Sequence, residues 1–247
     1  MPLKKAANAC HYGGGKATER LLKLAGVTDP TKKIILEIGC GTGRTACIMA
    51  ERNGKVVAVD IDAKALIEAC AAAVKQGISP KIDFIVADAH HLPFKDNSFE
   101  AVIAESVLAF CDITKVCNET FRVLKPGGTF GNNEITYLQP PDPVLKAMLR
   151  LVLGISSRRE REWKAAYANA GFFDIQSWLS KIRLFGQFLK YTEIRSLLTG
   201  SGIKASAEGD FTVPVNRKVL MTVLKYRSYI GYGLYICTKP EKAGPQP

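Results

Sequence analysis

Short apolar runs recur along the first half of the chain, each separated from the next by a stretch with helical spacing. Ile34–Ile38 is the first run, Val56–Val59 the second, Ile82–Val86 the third and Ala101–Ala104 the fourth, and Thr129–Tyr137 reads as a fifth. Helical patterns lie between them at Arg44–Arg52, Ala63–Gln76 and Ile113–Val123. Strands that are apolar throughout, alternating with helices, are what a parallel sheet covered on both faces requires. The pattern therefore predicts a doubly wound α/β fold.

The second half is less regular. Pro140, Pro141 and Pro143 end the fifth strand. A helix is expected over Val144–Leu153, and another over Glu160–Asn169 that stops at Gly171. Phe172–Leu179 and Tyr232–Thr238 read as two more strands, making a mostly parallel sheet of seven. Between those two strands the chain is basic, with apolar residues near helical spacing. We read 181–227 as a helical insertion over the carboxyl edge of the sheet, on the acceptor side. The whole chain, 1–247, is expected to be one domain: an N-terminal lid and helix over 1–30, a ligand-binding core over 31–137, and a helical segment over 140–170.

The chemistry concentrates where the first strand ends. Ile34-Ile-Leu-Glu-Ile-Gly-Cys-Gly-Thr-Gly43 places glycines at 39, 41 and 43, with Cys40 between the first two. Glycine permits a tight turn and lets a ligand lie on bare backbone. The turn falls at the carboxyl end of a strand, where open α/β sheets bind ligands. Asp60, with Ile61 after it, closes the second strand, where a carboxylate can accept from ribose hydroxyls. The loose dinucleotide pattern is also met, by Gly41-Thr-Gly-Arg-Thr-Ala46 with Asp60 19 positions beyond Gly41. Glu37 argues against that reading. We place it inside the glycine loop, where an anion repels a pyrophosphate and suits a sulfonium ligand that also bears an ammonium group.

Further motifs follow: Ala87-Asp88-Ala89 after the third strand, Asp96-Asn-Ser-Phe-Glu-Ala-Val-Ile-Ala-Glu105, and Arg122-Val-Leu-Lys-Pro-Gly-Gly128. Together these residues resemble the class I S-adenosylmethionine-dependent methyltransferases, and within them the type 11 domain group that includes the ubiquinone/menaquinone-biosynthesis enzymes. The resemblance covers roughly residues 10–137. It implies S-adenosylmethionine as cofactor, with Glu37, Gly39, Gly41 and Gly43 along its methionine part, Asp60 at the ribose, and Asp88 with Ala89 at the adenine. His11-Tyr-Gly-Gly-Gly15 resembles a segment that closes over the cofactor as a lid in small-molecule members. Related enzymes often have a His at the position that Ala109–Cys111 occupies here, and its absence weakens the transfer of a specific quinone activity.

Candidate catalytic groups along the carboxyl edge are Glu105, Glu134, His11 and Tyr12; Tyr12 and Glu105 also stand among the expected cofactor contacts. Glu105 directly follows the fourth strand. Glu134 lies in Gly131-Asn-Asn-Glu134, a polar stretch inside an apolar strand, and is either an exposed strand end or a buried group with a partner or a task. No His or Cys cluster has metal-ligand spacing. Seven cysteines with no C-x-x-C pair fit a reducing compartment, and no run is long and apolar enough for a membrane span, so the protein is expected in the cytoplasm.

The net charge of +11 is uneven. Residues 1–141 carry 17 Lys+Arg against 15 Asp+Glu, and residues 142–247 carry 17 against 8. The second half suits a solvated surface, an anionic membrane, nucleic acid or an acidic substrate. The expected partner is a small, lipophilic acceptor that takes the methyl group in line, with peripheral contact to anionic membrane as an addition. An RNA methyltransferase, a nicotinamide oxidoreductase and an arsenite methyltransferase using Cys10, Cys111 and Cys117 are the rival readings.

Overall fold

The computed structural model describes residues 11–28, 34–52, 54–181, 225–226 and 228–241. In chain order they form α1 (Gly14–Leu24), β1 (Ile34–Ile38), α2 (Arg44–Arg52), β2 (Lys55–Asp60), α3 (Ala63–Lys75), β3 (Ile82–Val86), β4 (Phe99–Glu105), α4 (Ile113–Val123), β5 (Leu124–Tyr137), α5 (Pro143–Leu153), β6 (Arg158–Arg159), α6 (Glu160–Asn169), β7 (Phe173–Lys181) and β8 (Ile230–Thr238). The alternation of periods in the sequence is realised as expected. The expected insertion over 181–227 lies, from 182 to 224, outside the described residues. So do Leu184, Phe185, Phe188 and the other apolar residues of that segment.

The sheet runs β3-β2-β1-β4-β5-β8-β7, with the two-residue β6 pairing beside the end of β5. The expected seven strands thus gain a short eighth. β1 to β5 are parallel, and β8 runs antiparallel to both β5 and β7. Strand order reverses between β1 and β4, which leaves a crevice at their carboxyl ends.

One strand boundary differs from the pattern. β5 begins at Leu124, not Thr129: Leu124 pairs with Phe99, and Thr129 with Ala101. Two steps of β4 therefore oppose five of β5, and the Pro126-Gly127-Gly128 bulge sits in the excess. Asp side chains start three helices. Asp62 accepts from the Lys64 amide, Asp112 from those of Thr114 and Lys115, and Asp142 from that of Val144 with Pro143 in the first turn.

Alternation along the strands divides the core between the two faces. Ile35, Ala101 and Ile103 pack with α1 and α2, while Leu36, Val102 and Phe130 pack on the opposite face with α4 and α6. Each fully buried Ile, Leu, Val or Phe side chain among them contributes about 1.5–3 kcal/mol. Trp163, Tyr167 and Tyr235 enter the second core because their polar tips find partners: Trp163 donates to the Ile135 carbonyl, Asn132 donates to Tyr167, and Tyr235 pairs with Thr136. The same parity sends Glu37 and Glu105 toward α1 and α2, and Glu134 toward the opposite face.

Candidate active site

The turn after β1 is built from backbone. The Gly39 and Cys40 amides donate to the Val59 carbonyl at 2.8 and 3.0 Å, and the Gly43 amide to the Cys40 carbonyl at 2.9 Å. Gly39 has φ 68°, and a side chain there would overlap Val107. Gly41 has φ 51°, yet a Cβ there would meet nothing within 4 Å. Gly39 is thus required by packing, while Gly41 borders open space. α2 starts directly after the turn. Cys40 is buried between them, and burial with the Glu37 and Asp60 carboxylates pushes its thiol far up, so it fills space rather than reacts.

Asp60 closes the far side. Its Oδ2 accepts from the Gly41 amide at 2.7 Å and its Oδ1 from the Asp62 amide at 2.9 Å. Both oxygens are fixed by backbone, and each retains capacity for a ligand hydroxyl. Ile61 beside it is 72% exposed, an apolar surface open at the crevice edge.

Glu37 sits one step earlier than its expected place in the loop. It is a residue of β1, paired with Ala58 and Ile103, and is 1% exposed. Strand pairing continues to Ile38, which draws Glu37 under the turn. The Ala46 amide donates to it, but its Oε2 has no partner among the described residues. Burial raises its pKa well above the usual carboxylate range, and the Glu105 and Asp60 carboxylates raise it further.

Glu105 is occupied from three sides. Thr18 of α1 donates to its Oε2 at 3.0 Å, Thr45 of α2 to its Oε1 at 3.0 Å, and Asn133 of β5 to Oε2 at 3.1 Å. The Asn133 amide also donates to the Tyr12 carbonyl at 2.9 Å, and the His11 ring Nε2 lies 3.5 Å from the Thr45 hydroxyl. The N-terminal segment is therefore tied to the glycine turn through Glu105 and its donors. This geometry makes Glu105 a strut between α1, α2 and β5.

Glu134 is 0% exposed, which removes the reading of an exposed strand end. Its Oε1 accepts from the Val107 and Leu108 amides at 2.7 and 2.6 Å, and its Oε2 has no partner among the described residues. Burial pushes its pKa up to about 7 against the pull of those amides. Tyr12 is nearby: burial and the Glu134 carboxylate both raise its phenol, which suits a hydrogen-bond donor and not a base. Ser106, between β4 and the 3-10 turn Leu108–Phe110, has φ 63° and a buried hydroxyl without a partner among the described residues. Left-handed backbone at a serine is strained by about 1–3 kcal/mol. Sequence alone does not mark Ser106, Thr18 or Thr45; Asn133 was visible only as a polar residue in an apolar strand.

Asp88 and Ala89 follow β3 at the same edge, with Ala89 partly buried against the core. Of the thiols in the arsenite reading, Cys117 is sealed in the core and burial pushes it up to about 12; Cys111 stands at about 11, and Cys10 lies outside the described residues. Among the described residues no group of three His, Cys, Asp or Glu is placed to hold a metal, and no helix is long and apolar enough to cross a membrane.

Known proteins are similar to this chain in sequence or in fold. A family model described as a methyltransferase domain matches residues 36–131, from β1 to the middle of β5. An uncharacterized methyltransferase of Bacillus subtilis, YodH, is 32% identical over 162 residues, which is 65% of this chain and 68% of that one. The ubiquinone/menaquinone biosynthesis C-methyltransferase UbiE of Bartonella tribocorum is 38% identical over 111 residues, 43% of each chain. Among solved structures, a geranyl diphosphate C-methyltransferase of Streptomyces coelicolor, in complex with Mg2+, geranyl diphosphate and S-adenosyl-L-homocysteine, superposes with TM-score 0.70 at 16% identity, covering 91% of this chain and 78% of that one. With the resemblance in motifs, the family model and a relative matched over two thirds of its length in agreement, the chain belongs to the class I S-adenosylmethionine-dependent methyltransferases, type 11 domain group.

Proposed function

We infer that the chain binds S-adenosylmethionine across the turn 39–43 and passes its methyl group in line to a small, lipophilic acceptor. One observation carries the donor's placement. Glu37 is a buried carboxylate with a free oxygen, and its charged neighbours are two more carboxylates. A buried charge of this kind is costly unless a cation meets it. The donor's ammonium supplies one, and its sulfonium adds a second positive centre. Bound there, the donor brings an activated methyl group. Gly41 leaves the backbone bare against it, Asp60 accepts from its ribose, and Asp88 faces its base. A pyrophosphate cofactor would add negative charge to this carboxylate cluster.

Positioning and exclusion of water are then the protein's main contributions. The acceptor class is supported by the named activities of the relatives and by the apolar residues Val107 and Phe110 after β4. Where the acceptor loses a proton, Glu134 is the group suited to take it. The donor would supply the methyl group to the acceptor, and the acceptor's proton would go to Glu134 Oε2.

Calorimetry with S-adenosylmethionine, S-adenosylhomocysteine and NAD tests this reading. The first two should bind to the wild type and bind much less well to Glu37→Gln, and NAD should not bind. Binding of NAD alone would overturn it.

A further inference from the structure

His90 joins two loops that carry different parts of the site. Its ring Nδ1 lies 2.6 Å from Asp88 Oδ1, and its Nε2 lies 3.0 Å from the backbone nitrogen of Asp112. The partners fix the tautomer. A backbone N–H can only donate, so Nε2 is bare; a carboxylate accepts, so Nδ1 carries the hydrogen. The His90 amide also donates to Asp88 Oδ1, at 2.9 Å. Both bonds fall on Oδ1 and leave Oδ2 unengaged by His90. They also hold the Asp88 carboxyl below its usual range, so it stays an anion that only accepts.

The second arm reaches the loop after β4. Asp112 caps α4, and the five residues before it include the amides that hold Glu134. The ring thus stands between the carboxylate after β3 and the acceptor-side loop.

We propose that His90 is a positioning residue that aims Asp88 Oδ2 at the donor's base and so sets its selectivity for an exocyclic amine. This rests on the placement of S-adenosylmethionine given above. An anionic acceptor favours a base that donates from an amine, as adenine does. It disfavours one that presents a carbonyl at the same position, as hypoxanthine does. The discrimination depends on Oδ2 facing the base, and the Nδ1–H bond to Oδ1 holds that orientation.

The two ring nitrogens can be replaced separately. In His90→Asn the short side chain offers a donor near the place of Nδ1. In His90→Gln an acceptor reaches the place of Nε2, and the donor to Asp88 is lost. The probes are S-adenosylhomocysteine and its deaminated counterpart, S-inosylhomocysteine, measured by calorimetry on the full chain.

The wild type should favour the adenine form by roughly tenfold or more, as expected for a hydrogen bond to a charged group. His90→Asn should retain most of that ratio, and His90→Gln, which keeps only the backbone N–H bond to Oδ1, should lower it severalfold, with circular dichroism showing both folded. A ratio that falls equally in both variants, or in neither, would overturn the proposal. If the wild type binds S-adenosylhomocysteine but does not discriminate, Asp88 is not at the base and the proposal fails while the donor site stands. If it binds neither probe, the donor reading itself has failed.

Discussion

The Thr18 hydroxyl on α1 donates to Glu105 Oε2 at the end of β4, at 3.0 Å and 87 positions apart in the chain. With Thr45 and Asn133 as further donors, this carboxylate joins three elements, and Asn133 extends the connection to Tyr12. Removing it takes the acceptor from the Thr18 and Thr45 hydroxyls and from one N–H of Asn133, and each buried donor left without a partner costs about 1–3 kcal/mol. Glu105→Ala is expected to lower the denaturation midpoint markedly, whereas Thr18→Val, which removes a single donor, should cost about 1 kcal/mol. Urea unfolding followed by circular dichroism measures both. A Glu105→Ala protein as stable as wild type but without turnover would show that Glu105 acts in the chemistry instead.

Glu37 should give the opposite pattern. Its carboxyl is raised by burial and by two like charges, so replacing it with glutamine relieves repulsion in the ligand-free chain. Glu37→Gln is expected to unfold at the same or a higher temperature than wild type. The same change removes the anion that meets the donor's ammonium, and affinity should fall roughly tenfold or more, the range for a charged hydrogen bond. Thermal melts and calorimetry on one preparation separate the two effects. A variant that loses stability and keeps affinity would mean that Glu37 serves packing alone.

Two glycines of the turn should fail for different reasons. A Cβ at Gly39 would overlap Val107, so Gly39→Ala should disturb the fold. At Gly41 the new methyl meets open space, and left-handed strain of about 1–2 kcal/mol is the only structural cost. Gly41→Ala is expected to stay folded and to lose donor binding, because the methyl occupies the surface the ligand covers. Normal binding by Gly41→Ala would move the donor away from this turn.

The strands were legible because a buried parallel strand must be apolar, and the helix ends because Asp62, Asp112 and Asp142 or a glycine marks them. The turn after β1 was legible because few functions other than ligand contact need three glycines at alternate positions. What the sequence could not show is the direction of each acidic side chain. Glu105 and Glu134 look alike as polar residues at strand ends. Strand parity sends them to opposite faces, and the donors they meet come from Thr18, Thr45 and the amides after β4, all distant in the chain. Glu37 was assigned to the loop because the glycines begin two residues later; pairing with Ala58 and Ile103 keeps it in the strand. Nothing in the sequence marks His90 as a link between loops, because its second partner is a backbone amide 22 positions away.

Glu134 gives a dependence on pH whose sign is fixed. Burial raises its carboxyl from about 4.5 in the unfolded chain to about 7 in the fold. Between those values the unfolded chain has lost the proton and the fold has kept it. Stability from this group is therefore full below about 4.5, declines as pH rises, and levels off above about 7. The whole decline is on the order of 3 kcal/mol, at 1.36 kcal/mol for each unit. Glu134→Gln has nothing to titrate and keeps an oxygen for the Val107 and Leu108 amides. The difference in unfolding free energy between wild type and variant should move in favour of the variant from pH 4.5 to 7 and then stay constant. Turnover carries the second readout. If Oε2 takes the acceptor's proton, the rate on a protic acceptor should rise with pH to a plateau above about 7. Glu134→Gln should then abolish that rise and slow the reaction by roughly 100-fold or more. A variant that shifts the stability curve and leaves the pH–rate profile intact would restrict Glu134 to holding the turn after β4.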